Sequence, residues 1–395
     1  MNDRYVIVSG VRTPIGRFGG SLRNIDSGKL ASIAIKEAVN RAGIEPYQVD
    51  EVVMGEVRQT SESSNVARVA ALRSGIPIDK PAFTVNRLCA SGMQAIVSAI
   101  QQIAFNQADI VVAGGTENLS RAPFYIFNAR FGEGPPKMID SNLLNGQQPM
   151  EMYGENLGMG ITAENLAEKY GVSREEQDEF AVLSQQKAAR AIEKGVFNDE
   201  IIPVEVKSKK ETVIFDTDEH PRPSTTIEKL AKLRPAFKEA GSVTAGNACG
   251  RNDGAAALVI MKEEKANELG LRPLVRIVDW ATSGVGPEIM GIGPVPAVQA
   301  LFERTGLTKE DIDLFELNEA FAAQALSVIK ELELDINKVN VNGGAISLGH
   351  PLGATGARIT ITLMHELIRR QERYGVATLC IGGGQGMALL IERIA

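Results

Sequence analysis

Six short apolar runs rich in β-branched residues punctuate the chain. YVIVSG (5–10), DEVVMGEV (50–57) and DIVVAGG (109–115) lie in the first third, and LVRIVDW (274–280), DLFELNEA (313–320) and VATLCIGGG (376–384) in the last. Helical patterns alternate with them. Apolar residues at 93, 96, 97, 100 and 103 mark one helix from Ala90 to Ile103. Ile359, Leu363, Met364 and Leu367 mark another. A third, SREEQDEFAVLSQQKAARAIEKG, opens on Ser173 with Glu176 three residues on, a capping box, and closes near Gly195. This alternation predicts an α/β protein whose strands are buried on both faces.

Two stretches align without a gap: AGIEPYQVDEVVMGEV (42–57) and TGLTKEDIDLFELNEA (305–320). Gly43/Gly306, Asp50/Asp313 and Glu56/Glu319 are identical, and each copy is followed by an apolar strand ending in glycines, at 111–115 and 380–384. An internal duplication follows, giving two related halves. Residues 121–160 mix Gly, Pro, Asn and Met without a sustained period and read as irregular structure.

Composition narrows the function classes. With 395 residues, 44% hydrophobic and 23% charged, the chain can build more than one domain, and a net charge of −7 with no basic stripe gives no footprint for nucleic acid. No run approaches the length of a membrane span, and MNDRYVIVSG lacks the features of a secretory leader. The expectation is a soluble, cytoplasmic protein. Cys89, Cys249 and Cys380 are odd in number and far apart, without metal-site spacing, so no metal is expected and the thiols should stay free.

Two segments carry candidate chemistry. NVNGGAISLGHPLGATGAR (340–358) surrounds His350 with glycines, which suits either a backbone cradle for phosphate or an imidazole held where other backbone must come near. In NRLCASGMQAI (86–96), Cys89 sits at a helix N-terminus among small neighbours, where unpaired N–H groups favour thiolate. His220, in the loop DEHPRP, and His365, at the edge of an apolar arc, read as structural.

The motifs NRLCASGMQAI, GSVTAGNACGRNDGAAA, NEAFA, NVNGGAISLGHPLGATGAR and CIGGGQGMA, in that order, make the chain similar to the thiolases, acyl-CoA C-acyltransferases, along essentially its whole length. The resemblance implies a duplicated five-layered αβαβα core with an inserted loop domain. The expected limits are 1–121 plus 250–272 for the first half, 122–249 for the loop domain and 273–395 for the second half. It also implies an acyl-cysteine intermediate on Cys89, with His350 as its base and Cys380 as the acid or base at the substrate α-carbon. Asn318 would orient a water that, with His350, faces the enolate oxygen, and the backbone N–H groups of Cys89 and Gly382 would face the acyl-enzyme oxygen.

Acetyl-CoA, 3-ketoacyl-CoA and coenzyme A are then substrates, with no permanently bound cofactor. Arg222, Leu233, Ala245 and position 249 are implied as coenzyme contacts. Arg222 lies in a locally basic stretch, with Lys or Arg at 207, 209, 210, 222, 229, 232, 234 and 238. Position 249 departs from the family, which usually has Ser there; a thiol is the weaker hydrogen-bond partner. Gly158 stands where some short-chain biosynthetic thiolases have His, which leans toward degradative use. A homodimer or homotetramer is implied, and the small residues of SESSNVARVAALRSG suit an isologous contact. A decarboxylating condensing enzyme needs two active-site histidines, and a nucleotide-binding oxidoreductase needs a glycine spacing that GGGQG lacks. A catalytically dead acyl-CoA-binding subunit would have no reason to keep Cys89, Asn318, His350 and Cys380 together.

Overall fold

The apolar runs become strands of one hydrogen-bonded sheet in the computed structural model, which describes residues 4–143, 146–207 and 211–394. The first half supplies β1 (Tyr5–Arg12), β2 (Gly16–Arg17), β3 (Glu51–Gly55), β4 (Ala82–Val85) and β5 (Ile110–Asn118). The middle of the chain adds the hairpins β6 (Phe124–Phe127) with β7 (Lys137–Asp140) and β8 (Val204–Lys207) with β9 (Thr212–Phe215), then returns to the sheet as β10 (Asn252–Lys262). The second half contributes β11 (Val275–Gly284), β12 (Leu314–Leu317), β13 (Tyr374–Ile381) and β14 (Gln385–Arg393). The strand order is β12-β13-β14-β11-β1-β10-β5-β3-β4, with β2 paired to β10. β1 meets β11 only over Tyr5–Ile7, so the halves join through a short seam.

Twelve α-helices are found among the described residues. They are α1 (Ser27–Ala42), α2 (Val66–Ser74), α3 (Ser91–Ala104), α4 (Met150–Tyr153), α5 (Met159–Tyr170), α6 (Arg174–Glu193), α7 (Ile227–Ala231), α8 (Glu263–Glu268), α9 (Pro294–Thr305), α10 (Ala322–Glu331), α11 (Ala345–Leu348) and α12 (Leu352–Arg370). Successive strand residues point to opposite faces, which assigns the layers. Val111, Ala113, Leu258 and Ile260 of the first half, and Leu379, Ile381, Leu389 and Ile391 of the second, pack on α3 and α12 in one central cluster. Their neighbours Val112, Val259 and Met261 face outward to α1 and α2. Val376, Ala388 and Leu390 face α9 and α10. Helix, sheet, helix, sheet and helix stack as five layers, each fully buried Leu or Ile contributing about 1.5–3 kcal/mol.

The duplication read from three identities has a physical basis at each. Gly43 and Gly306 close α1 and α9 with φ of 71° and 72°, a left-handed cap that disfavours a side chain. Asp50 accepts from the N–H groups of Asp109 and Ile110, both at 3.0 Å. Asp313 does the same for Arg373 and Tyr374, at 2.9 and 2.8 Å. Each carboxylate thereby pins the start of the next strand. Glu56 and Glu319 are both buried just past their strands. β3 runs parallel to β5 as β12 does to β13, and both halves continue through antiparallel partners.

The middle segment is more ordered than its composition suggests. The β6–β7 hairpin and α4 form within 121–160, and the capping box of α6 is present, Ser173 Oγ accepting from Glu176 N–H at 3.1 Å. A buried ion cluster fixes the later part of this segment to the first strand. Arg12 donates to Glu200 at 2.6 Å and to both oxygens of Asp218 at 2.8 and 2.9 Å, and its guanidinium lies over Phe197. Glu219 accepts from the N–H groups of Arg17 and Ser21. Lys209 and Lys210 lie outside the described residues.

Candidate active site

The segment preceding α3 is held in a tight, strained turn. Leu88 has φ of 47°, a region that non-glycine residues rarely adopt. Two side chains hold it there: Asn86 Oδ1 accepts from Leu88 N–H at 2.9 Å, and Ser91 Oγ accepts from Arg87 N–H at 2.9 Å while donating to Leu88 O at 2.6 Å. The turn delivers Cys89 half-buried two residues before the helix.

His350 occupies the matching position before α12. Its N–H donates to Asn252 Oδ1 at 3.0 Å, and Asn252 in turn donates to Gly16 O at 3.0 Å. The first turns of the two central helices press together. A Cβ on Gly92 would lie 2.8 Å from both Ala357 N and Gly353 O, and one on Gly356 would lie 2.4 Å from Met93 N. Side chains there would separate the helix starts, so the glycines bring Cys89 and His350 to one end of the central layer.

The imidazole has one defined tautomer. His350 Nδ1 is 2.7 Å from Thr355 Oγ1, and that hydroxyl donates its only proton to Pro351 O at 3.0 Å. Thr355 must therefore accept from Nδ1–H, which leaves Nε2 as the free base. Burial, with Arg358 as a secondary cause, pushes His350 down to about 3, so the ring is neutral at rest. The Cys89 thiol is also neutral. Burial raises it above its ordinary range; the N–H groups of Gly382 and of Cys89 itself, directed at the sulfur, and the Arg58 charge pull it back, while Glu117 adds to the rise. Sequence reasoning expected the helix N-terminus to favour thiolate, but burial outweighs it. A neutral thiol beside a neutral imidazole needs proton transfer in step with attack.

Cys380 and Cys249 complete a group of three thiols. Cys380 is 1% exposed, and burial, then the proximity of Cys89 and Cys249, raises it well above the usual thiol range. Cys249 is pushed up to about 12, again by burial first and Cys89 second. Its N–H donates to Ala320 O at 3.0 Å, and the neighbouring Ala248 packs with Ala320, Phe321, Met290 and Cys380, with Met159 against them. Asn318 is anchored by its backbone N–H on Thr378 O at 3.0 Å, and neither polar atom of its side chain has a hydrogen-bond partner. A buried amide in that state is satisfied by water or by a bound molecule.

Leu233 and Ala245 belong to one exposed ridge: a Cβ on Gly246 would lie 2.6 Å from Leu233 Cδ1. Arg222 is exposed nearby in sequence, and its backbone N–H donates to Gln185 Oε1 at 2.7 Å. The loop before it is not the free one expected of DEHPRP. His220 packs against Gly250, where a Cβ would lie 2.3 Å from its ring, and burial pushes it down to about 4. His365 bridges the layers, its ring nitrogen 3.1 Å from Gly10 O. Sequence reasoning missed Thr355 and Asn252, which hold the His350 ring and main chain, and the strained Leu88 before Cys89. Only Thr355 left a signal, being five residues from His350 at the start of a helix.

Two α/β halves placing a cysteine and a histidine at paired helix starts define a thiol-dependent transferase architecture. The chain matches the family profiles "Thiolase, N-terminal domain" over residues 5–264 and "Thiolase, C-terminal domain" over 271–393, and it belongs to the thiolase family. It is 50% identical to an acetyl-CoA acetyltransferase of Syntrophomonas wolfei and to the beta-ketothiolase BktB of Cupriavidus necator, each alignment covering 100% of both chains. Among solved structures it resembles the Bacillus anthracis acetyl-CoA acetyltransferase with a TM-score of 0.96 and 50% identity, covering 99% of each chain. It also resembles human mitochondrial 3-ketoacyl-CoA thiolase in complex with CoA, with a TM-score of 0.94, 46% identity and 100% and 98% coverage. The protein is an acyltransferase of this family, and no helix among the described residues is long and apolar enough to cross a membrane.

Proposed function

We propose that the protein is a thiolase that cleaves 3-ketoacyl-CoA with coenzyme A, and condenses acetyl-CoA in reverse, through an acyl group carried on Cys89. The observation that carries this reading is the contact of Gly92 with Gly353 and Ala357, and of Gly356 with Met93, which brings the helix starts bearing Cys89 and His350 together, with the Gly382 turn against Leu88. In cleavage, Nε2 of His350 takes the Cys89 proton as sulfur attacks the 3-keto carbon, and the N–H groups of Cys89 and Gly382 receive the developing oxyanion. The bond between the α-carbon and the 3-keto carbon then breaks, and its electron pair goes to the α-carbon, which takes a proton from Cys380. Asn318, through a water and with His350, stabilises the enolate oxygen of the departing acetyl-CoA. Coenzyme A next gives its thiol proton to the Cys380 thiolate and attacks the Cys89 thioester; acyl-CoA leaves, and the released Cys89 sulfur takes back the proton held on His350.

Arg222, Leu233, Ala245 and Cys249 are assigned to coenzyme A, a substrate here and not a resident cofactor. The position of Cys249 beside Cys89 and the ridge of Leu233 and Ala245 support this assignment. The sheet order supports the domain limits 1–121 plus 250–272, 122–249 and 273–395. A cytoplasmic setting accords with three unpaired thiols, and Gly158 supports degradative use, as in β-oxidation. A homodimer or homotetramer accords with the open edge strand β4 and with the β6–β7 hairpin, which exposes Phe124, Tyr125, Ile126, Phe127 and Met138.

Labelling with radioactive acetyl-CoA separates the roles. Cys380→Ser should still take acetyl onto Cys89 but lose about 10²- to 10⁴-fold in acetoacetyl-CoA formation. Cys89→Ala should take none. An acetylated Cys89→Ala protein, or a Cys380→Ser protein condensing at the parent rate, overturns the assignment.

A further inference from the structure

Three side chains converge on one face of Gly382. A Cβ placed on that residue would lie 3.1 Å from Gln147 Cγ, 3.3 Å from Leu88 Cδ1 and 3.5 Å from Met159 Sδ. Leu88 immediately precedes Cys89, so the face of Gly382 that these side chains share lies beside the acyl group that Cys89 would carry. Leu88 and Met159 are apolar and half-buried, each packed against a core cluster. Gln147 is the polar exception.

Its side-chain oxygen is buried and has no hydrogen-bond partner within the chain. The main chain at 147 is pressed onto the same turn: a Cβ on Gly383 would lie 2.5 Å from Gln147 O. This contact holds the Gln147 side chain at the site. A buried amide oxygen without a protein partner must be satisfied by water or by substrate. With an acetyl group on Cys89 a water can remain against it. A long alkyl chain would displace that water and leave the oxygen unpaired, a loss that corresponds to roughly 10- to 100-fold in rate.

We propose that Gln147 is a specificity-determining residue, closing the acyl end of the site with Leu88 and Met159 and favouring an acetyl group on Cys89 over long alkyl chains. The inference rests on the acyl-transfer reading above and narrows it to thiolysis of short 3-ketoacyl-CoA. The discriminating quantity is the ratio of kcat/KM for acetoacetyl-CoA to that for 3-ketodecanoyl-CoA, which a general loss of folding does not move.

The test measures that ratio in the parent enzyme, in Gln147→Leu and in Gln147→Ala, with circular dichroism and acetyl labelling of Cys89 on each. The parent should prefer acetoacetyl-CoA. Both variants should take up the label and shift the ratio toward the longer substrate by about 10-fold or more, through KM and kcat together. A parent enzyme that takes label but prefers the longer substrate overturns the role of Gln147, and so does an unchanged ratio in a folded, labelled variant. A parent enzyme that takes no label and cleaves neither substrate overturns the acyl-cysteine reading instead.

Discussion

Gly92 and Gly356 mark the point where the two central helices touch, each facing backbone of the other helix with no room for a methyl group. The contact is backbone to backbone, so neither neighbour can yield by a rotamer change. Gly356→Ala should cost about 1–3 kcal/mol of stability as an overpacked substitution. Its effect on turnover should be larger, about 10²-fold, because the helix starts carry Cys89 and His350. Thermal melting beside thiolysis kinetics measures both, and a melting-point loss with unchanged kcat argues against this coupling.

Thr355 sets the tautomer of His350 without reaching the substrate. Thr355→Val removes the acceptor for Nδ1–H and should lower kcat by about 10²-fold with little change in KM. Thr355→Ser restores the hydroxyl and should restore most of the rate. Failure of the serine variant to recover would assign Thr355 to packing alone.

Two buried groups predict opposite responses to pH. Burial, with Glu117 beside it, raises Glu56 from 4.5 to about 8, so its stabilising contribution is complete below 4.5 and is lost as pH rises through about 8. Melting temperature should fall from about pH 4.5 to about pH 8, and less so in Glu56→Gln. His350 is depressed from 6.5 to about 3, so its contribution is complete above 6.5 and is lost as pH falls through about 3. A neutral His350 also predicts no loss of acyl transfer near pH 6.5, which a pH–rate profile of Cys89 acetylation would test.

Cys249 stands where a hydroxyl is usual in the family. If its side chain borders the pantetheine arm, Cys249→Ser should retain or raise activity, since a hydroxyl is the better hydrogen-bond partner. Alkylation at Cys249 in a chain retaining Cys89 should raise the KM for coenzyme A. Equal KM before and after modification would place this thiol away from the coenzyme.

The sequence made the layered architecture readable because buried strands and amphipathic helices have different periods, and both halves repeat them. The candidate site was legible too, since glycines and small side chains around Cys89 and His350 are hard to explain as core. Contacts between distant segments were not. Nothing in the local pattern at 147 points to Gly382, and no spacing rule places Arg12 against Glu200 and Asp218. The ionisation of Cys89 was misjudged for a related reason: a helix N-terminus is visible in sequence, but the desolvation that outweighs it depends on the whole packed site.

β1 is made before every other strand of the sheet, yet its ladder partners lie in β10 and over Val275–Ile277 of β11. Roughly 250 residues of chain must be synthesised before the first strand can be paired, a connection whose length alone favours slow folding. Until then only the face of Val6, Val8 and Val11 can be covered, by α1, and Arg12 reaches Glu200 and Asp218 only after that middle segment has been made. The first strand therefore completes its ladder late, and truncation or a bulky fusion there should impair assembly more than chemistry.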